Sequence, residues 1–329
     1  MSLVATLNSG VSALTAFSEG IQVISNNIAN VNTTAYKGSR AEYSDSFSNI
    51  LRQAAPAPSS GNGSNTAAIQ IGTGVRVSGV TGDFTQGTLT STGKNTDLSI
   101  AGSGFFRVRD TLNSVDYATR SGAFRLDDTG FLVTSDGFRV QGLTGGGATF
   151  SATDNGGSSP KYTKTAIPPG AVGDIKIAFE VSVGSGMTND TAGAFTDTQV
   201  NNTKPTMQSF SVNKAGDVII GMSNGDTVKL GQVLLQNFSD PNALTKVGNN
   251  LFSGFGAAGP IGGSDLTAAN NGAGTNGLGS IQGGALELSN VDLSKQMTDM
   301  IIIERSFQAA SRVVTVSDRM LEEIVNLKR

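Results

Sequence analysis

Apolar side chains in the first 31 residues fall on a seven-residue grid, with Leu7, Leu14, Ile21 and Ile28 in one column and Leu3, Phe17, Ile24 and Val31 in the other. Gly10 interrupts the second column. A period of about 3.5 residues keeps one narrow stripe facing a partner, which predicts a coiled-coil seam rather than the broader stripe of a helix lying on a globular core. The remaining face carries Ser, Thr, Asn, Gln and Gly, and Glu19 is the sole charged side chain before Lys37. A surface helix in water ordinarily carries more charge, so this face too is expected to meet protein. The alternative is a flexible, weakly helical segment.

The C-terminal end repeats the pattern. Leu293, Met300, Phe307, Val314 and Leu321 stand seven apart, Ile303, Ala310 and Ile324 fill much of a second column, and Gln296 and Ser317 occupy its other places. Asn290 or Asp292 can cap the start and Gly283-Gly284 bars extension backwards, so a helix is expected from about 290 to 327. At 1.5 Å per residue it spans roughly 55 Å, longer than a small domain is wide. Matching periods predict that the two terminal helices pair with each other and with further copies.

Between them the chain changes to short β-branched or aromatic runs broken by Gly, Asn and Asp, the pattern of antiparallel sheet. Asn224-Gly225, between Val218-Ile219-Ile220 and Val228-Lys229-Leu230, is the strongest hairpin signal, and Asp136-Gly137, between Leu132-Val133 and Val140, is a second. Residues 54–66 form a Pro/Ala/Ser/Gly/Asn linker, 144–159 a second biased stretch around Gly145-Gly146-Gly147, and 253–280 a third Gly-rich loop. The expected fold is mainly β with long α-helical termini in a discontinuous multi-domain arrangement. Residues 1–36 plus 286–329 form a helical inner core, 37–69 a linker region, 70–145 plus 206–285 a main β domain and 146–205 an inserted outer β domain.

Composition narrows the chemistry. The 329 residues include no Cys, no His and no Trp, which excludes disulfides, thiol nucleophiles, Cys/His zinc sites and imidazole proton relays. Balanced charge, 23 basic against 26 acidic residues, supplies no basic face for phosphate backbones, so no nucleic-acid partner is expected. Glycine is about 13% of the chain (43 of 329) against a typical 7%, and 15% is charged, which suggests turn-rich β structure with polar surfaces. No signal-peptide pattern opens the chain and no apolar run of membrane-spanning length occurs, so export by a classical signal and a membrane span are not expected. An interfacial membrane helix over 2–31 is disfavoured because Lys and Arg are missing from its polar face.

Local motifs resolve to turns. Gly102-Ser103-Gly104 lacks the third glycine of a dinucleotide fingerprint, since Arg107 stands there. Ser91-Thr92-Gly93-Lys94 matches the Ser-x-x-Lys element of penicillin-binding enzymes, but its companion motifs are missing and a turn is expected. Asp127 and Asp128 are adjacent, so on a strand they point to opposite faces and do not form an acid pair. No catalytic residue, cofactor site or metal site is assigned.

The segment Ser25-Asn26-Asn27-Ile28-Ala29-Asn30-Val31-Asn32-Thr33-Thr34-Ala35-Tyr36-Lys37 closely resembles the N-terminal signature of the axial proteins of the bacterial flagellum, the hook and rod group, with Ala35 where that family usually has Gly. Asp97 to Val108, with Gly102-Ser103-Gly104-Phe105-Phe106, and Tyr117 to Gly142 are similar to its core β motifs. Leu286 to Leu293, Arg305-Ser306-Phe307-Gln308-Ala309 and Asp318-Arg319-Met320-Leu321 resemble its C-terminal helix. Met1-Ser2-Leu3, the inserted region and Asn326-Leu327-Lys328-Arg329 resemble the hook branch, whereas Gln70-Ile71-Gly72-Thr73-Gly74-Val75 is also familiar from the distal rod.

The resemblance implies a subunit of a tubular homopolymer, with terminal helices forming the inner wall and β domains stacked outside. It implies neighbouring rod and hook-filament junction proteins, a hook cap, and unfolded export through the flagellar type III gate to an extracellular position. A Phe-x-x-x-apolar pentad near the N terminus is read by that gate in this family, which makes Phe47 and Leu51 its candidates here. The assembly seam is expected at Leu7, Leu14, Phe17, Ile21, Ile24 and Ile28 with Leu293, Met300, Ile303, Phe307, Val314, Leu321 and Ile324. Terminal helices with so little to pack against in a dilute monomer are expected to be mobile until assembly buries them. Two other readings compete: a secreted β-sandwich binding module, which predicts a stable monomer with protected termini, and a carboxylate-dependent glycosidase.

Overall fold

The computed structural model describes residues 3–54, 65–144, 148–153, 161–166, 170–177, 207–223, 225 and 227–327; for 148–153 and 161–166 it describes the backbone alone. Most of the 54–66 linker, the Gly145-Gly146-Gly147 run, much of the inserted region 146–205 and Asn224 lie outside the described residues. The protein is mainly β, with one long helix at each end, and divides into two compact units.

The first unit holds residues 1–32, 37–85 and 290–329. Helix α1 runs Leu3–Ala29 and the long C-terminal helix, α4, runs Leu293–Leu327; the short helices α2 (Phe255–Ala258) and α3 (Ala268–Asn271) lie in the other unit. The start of α4 is set by Asp292, whose carboxylate accepts the Ser294 and Lys295 amides at 2.9 and 3.2 Å, satisfying donors that the first turn cannot. The stretch 37–69, expected as a linker, contains two strands: Ser39–Asp45 pairs antiparallel with Val75–Gly82, and Ser48–Arg52 with Ile69–Gly72. Sequence pattern concealed the first of them because Arg40, Glu42 and Asp45 leave no apolar run.

The second unit holds residues 33–36 and 86–289. Among the described residues its main sheet has thirteen strands, with Phe105–Asp110 at its centre pairing antiparallel with Val115–Thr119, Arg139–Thr144 and Leu235–Phe238. Both hairpin signals mark hairpins. Asp217–Met222 turns into Thr227–Val233 with Gly225 at φ 84° and its amide donating to the Met222 carbonyl at 3.0 Å. Gly137, at φ 88°, donates to the Thr134 carbonyl at 3.0 Å between Leu132–Val133 and Arg139–Thr144. Leu98, Ile100, Phe106, Val108, Val218, Val233 and Ile281 meet in a single core.

Two groups of buried charge inside this unit are ion-paired. Arg120 and Glu287 are 3% and 0% exposed and bonded at 3.1 Å. Arg120 also donates to the carbonyls of Gly102 and Gly104, whose positive φ values (116° and 125°) turn those oxygens inward. This is why Gly102-Ser103-Gly104 is glycine-rich: a Cβ on Gly104 would stand 2.9 Å from the Leu278 Cδ2. Asp116 accepts from Arg107 and Arg109 at 2.5 and 2.7 Å. Burial opposes its ionisation, but these bonds and charges outweigh it and hold the carboxyl below the ordinary value of 3.8.

The turn expected at Ser91 to Lys94 lies one step later: Ser91 ends the Leu89–Ser91 strand, and 92–94 are irregular with Gly93 at φ 71°. The chain turns at 95–96, where the Asp97 amide donates to the Lys94 carbonyl at 3.1 Å and the Thr92 hydroxyl to the Asp97 carboxylate at 2.6 Å. Asp127 is a turn acceptor rather than half of an acid pair. It takes the Phe131 amide at 2.7 Å and the Thr129 hydroxyl at 2.8 Å.

Candidate assembly surface

Helices α1 and α4 pack antiparallel within the first unit: Gly10 faces Val314, Gly20 faces Ile303, and Asn27 reaches Gln296. The closest approach uses small residues. A Cβ on Gly10 would lie 2.8 Å from the Val314 Cγ2, and the residues that α4 buries are Ala310 and Ser317. Gly10 therefore does not break the apolar column; it lets the partner helix come near. The signal for this was the seven-residue spacing of Gly10, Ala310 and Ser317 with the apolar positions, legible once small residues are read as contact rather than interruption.

Of the expected seam, Ile24 is buried and Leu7, Leu14, Phe17, Ile21 and Ile28 are half-buried on α1; Met300, Ile303, Val314 and Leu321 are half-buried on α4. Leu293, Phe307 and Ile324 are instead exposed, at 40, 36 and 57%. For Leu293 and Ile324 the antiparallel register gives the reason: at both ends α4 runs past the extent of α1, Leu3–Ala29.

Asparagines hold the helix pair at its base. The Asn27 side chain, 1% exposed, donates to the Ser39 carbonyl at 2.6 Å and to Gln296 at 3.0 Å and accepts the Ser39 amide at 2.9 Å. Asn290 accepts the Gly38 amide and donates to the Asp83 carbonyl, while the buried Lys37 ammonium donates to the Thr85 carbonyl at 2.6 Å. Sequence reasoning singled out the asparagine-rich run only by resemblance and missed that Asn27 and Gln296 meet. A buried polar pair in an apolar helix contact favours one register over its slipped alternatives. Above it Phe17 meets the Tyr43 ring edge-on at 6.1 Å. Burial pushes the Tyr43 phenol up, and the Glu19 carboxylate adds to the shift.

Part of the outer surface of α4 is apolar and open. Ile301 and Ile302 are 57% exposed and Val313, Val316 and Met320 are 47–48% exposed. Phe47 and Leu51 stand elsewhere in this unit, 89 and 61% exposed, on and beside the Ser48–Arg52 strand. Among the described residues no group of acidic side chains is placed to hold a metal ion, and no helix is long and apolar enough to cross a membrane.

Three family models match the chain: Flagella basal body rod protein at 7–37, Flagellar hook protein FlgE/F/G D1 domain at 99–220, and Flagellar basal body rod FlgEFG protein C-terminal at 282–327. The flagellar basal-body rod protein FlgG of Bacillus subtilis strain 168 is 33% identical, over 98% of this chain and 99% of its own length. The chain belongs to the flagellar hook and rod axial protein family. Flagellar hook protein FlgE of Escherichia coli K12 matches this axial protein at 27% identity, covering 97% of it and 98% of the relative, and the FlgE of Borreliella burgdorferi at 28%, covering 98 and 99%. A solved Helicobacter pylori hook protein, FlgE2, covers 60% of the axial protein at 9% identity and TM-score 0.35, too low to bear on its fold.

Proposed function

We propose that the protein is a subunit of the flagellar hook, polymerising through its terminal helices into a helical tube that carries motor torque to the filament. One observation supports the reading above others: α4, 35 residues long, buries only Ala310 and Ser317 among its described residues and leaves a row of large apolar side chains in water. Covering the exposed half of an Ile or Val contributes about 1 kcal/mol. Repeated along each helix and in every subunit, that is sufficient to drive assembly. In this reading the paired helices form a coiled coil in the inner wall, with the expected seam residues continuing from the contact within one chain into contacts between chains, and the β domains lie outside. Contacts that are head-to-tail rather than two-fold generate an open helical tube.

The chain is exported unfolded by the flagellar type III gate to an extracellular position, with Phe47 and Leu51 as its export signal. Their exposure fits that role, because neither side chain is committed to packing in the folded subunit. Its neighbours are rod and hook-filament junction proteins and the hook cap.

A second reading, the distal rod, is favoured by the 33% identity to a rod protein, above the 25–28% to hook proteins. Deleting the coding sequence and imaging basal bodies separates the two. Complete rods without hooks support the hook, and loss of the distal rod assigns the chain there instead.

A further inference from the structure

Arg305, Arg312 and Arg319 stand seven residues apart on α4, and all three are exposed. At 3.6 residues per turn they lie about 160° around the helix from Ala310 and Ser317, on the side turned away from α1. About a quarter turn from them runs an acidic stripe of Glu304, Asp318 and Glu322, also exposed, while a further exposed carboxylate, Glu323, lies on the arginine side one turn beyond Arg319. Among the described residues none of the six side chains of the two stripes forms an ion pair, although ion pairs do form elsewhere in the molecule. α1 offers them a single charge, Glu19.

We propose that the arginine stripe is a docking surface for the acidic stripe of a second copy's α4. This rests on the polymer reading and says which faces meet. Three observations select a second copy as the occupant. First, the complementary charges are on the same chain, so each copy carries both halves of the contact. Second, Arg305 and Arg319 are separated by fourteen residues, as are Glu304 and Asp318, so both pairs form at once when two α4 helices lie side by side. Third, Ile302, Val313, Val316 and Met320 flank the arginines on the side away from the acids, and their exposure of 47–57% gives the incoming helix apolar surface to cover.

Alongside the charged residues the strip between the two stripes carries Gln308 and Thr315, with Asn326 beyond them; its exposed apolar residues, Met297 and Ile301, lie before Glu304 and do not continue as a row between the charges. A two-fold dimer centred on that strip would bury little, so the arginines of one copy meet one neighbour and its carboxylates meet another. Contacts of that kind propagate instead of closing.

The test compares three full-length chains by sedimentation and electron microscopy across a concentration series: the parent, Arg305→Glu/Arg319→Glu, and Glu304→Arg/Asp318→Arg. Like charges brought together across a contact cost several kcal/mol, so each reversed chain should need about 100-fold more protein to polymerise. An equimolar mixture of the two reversed chains should assemble near the parent's concentration, a rescue that a misfolded variant could not give. Reversed chains that polymerise as the parent does, or a mixture that is no better than its components, overturn the docking of the arginine stripe on the acidic stripe and leave the hook reading standing. A parent that stays monomeric at every concentration overturns both.

Discussion

In the β unit Ile100, Phe106, Val108, Val218 and Ile281 are fully buried, whereas in the helical unit the longest element buries an alanine and a serine and leaves Ile301 and Ile302 57% exposed. Charges follow the same division. The β unit closes Arg120 on Glu287 and Arg107 and Arg109 on Asp116, while the arginines and carboxylates along the outer faces of α4 have no partner among the described residues. The β unit packs this core and pairs these charges within a single chain; the helical unit leaves apolar surface and charge on α4 exposed. The contrast separates folding from assembly, and substitutions in the two units should fail in different ways.

The largest effect is expected on assembly. Val314→Asp or Leu14→Asp places a carboxylate in the helix contact, where desolvating it costs several kcal/mol, and should abolish polymerisation while the β unit melts at its parent temperature. Calorimetry alongside sedimentation reads both; a variant that assembles normally removes these residues from the seam. Next comes Glu287→Ala, which strands a buried Arg120 and should destabilise the β unit by about 3–5 kcal/mol in a urea titration, with the helical signal of assembled material unchanged in kind.

Acid should distinguish the units less strongly. Asp116 has its folded pKa lowered from 3.8, so its contribution is fully present above that value and is lost as pH falls through the lower folded value. The β unit of Asp116→Asn should therefore lose less stability than the parent between pH 4 and pH 2, about the range where such a carboxylate titrates. Equal losses in both proteins would show that the cluster contributes nothing pH-dependent. The smallest effect is at Ala35, a non-glycine residue at φ 57° whose amide donates to the Glu287 carbonyl at 2.8 Å. Ala35→Gly should relieve left-handed strain and stabilise by roughly 1 kcal/mol; a loss in thermal stability would mean that the methyl packing matters more.

Much of this contrast was legible in the sequence because it rests on period and turn chemistry. The seven-residue columns placed both terminal helices, and Asn224-Gly225 and Asp136-Gly137 placed two hairpins, since each is a local signal read within a few residues. What escaped was tertiary. The Ser39–Asp45 strand is half charged and declares no apolar run, and Gly10 reads as an interruption until Val314 is seen beside it. The antiparallel register comes from Asn27 meeting Gln296, 269 residues apart in the chain, and no local pattern specifies it. Gly102 and Gly104 fall short of a dinucleotide fingerprint; their carbonyls bind Arg120, a partner that neither spacing nor composition could name.

The most direct test is hydrogen exchange by mass spectrometry on the full chain, dilute and then concentrated to polymerise, comparing α1 and α4 with the β unit. The account predicts fast exchange in both helices of the dilute chain, slow exchange throughout the β core, and strong slowing of the helices alone on assembly. Slow exchange in α1 and α4 of a monomer that never polymerises would contradict it and make the protein a self-contained domain.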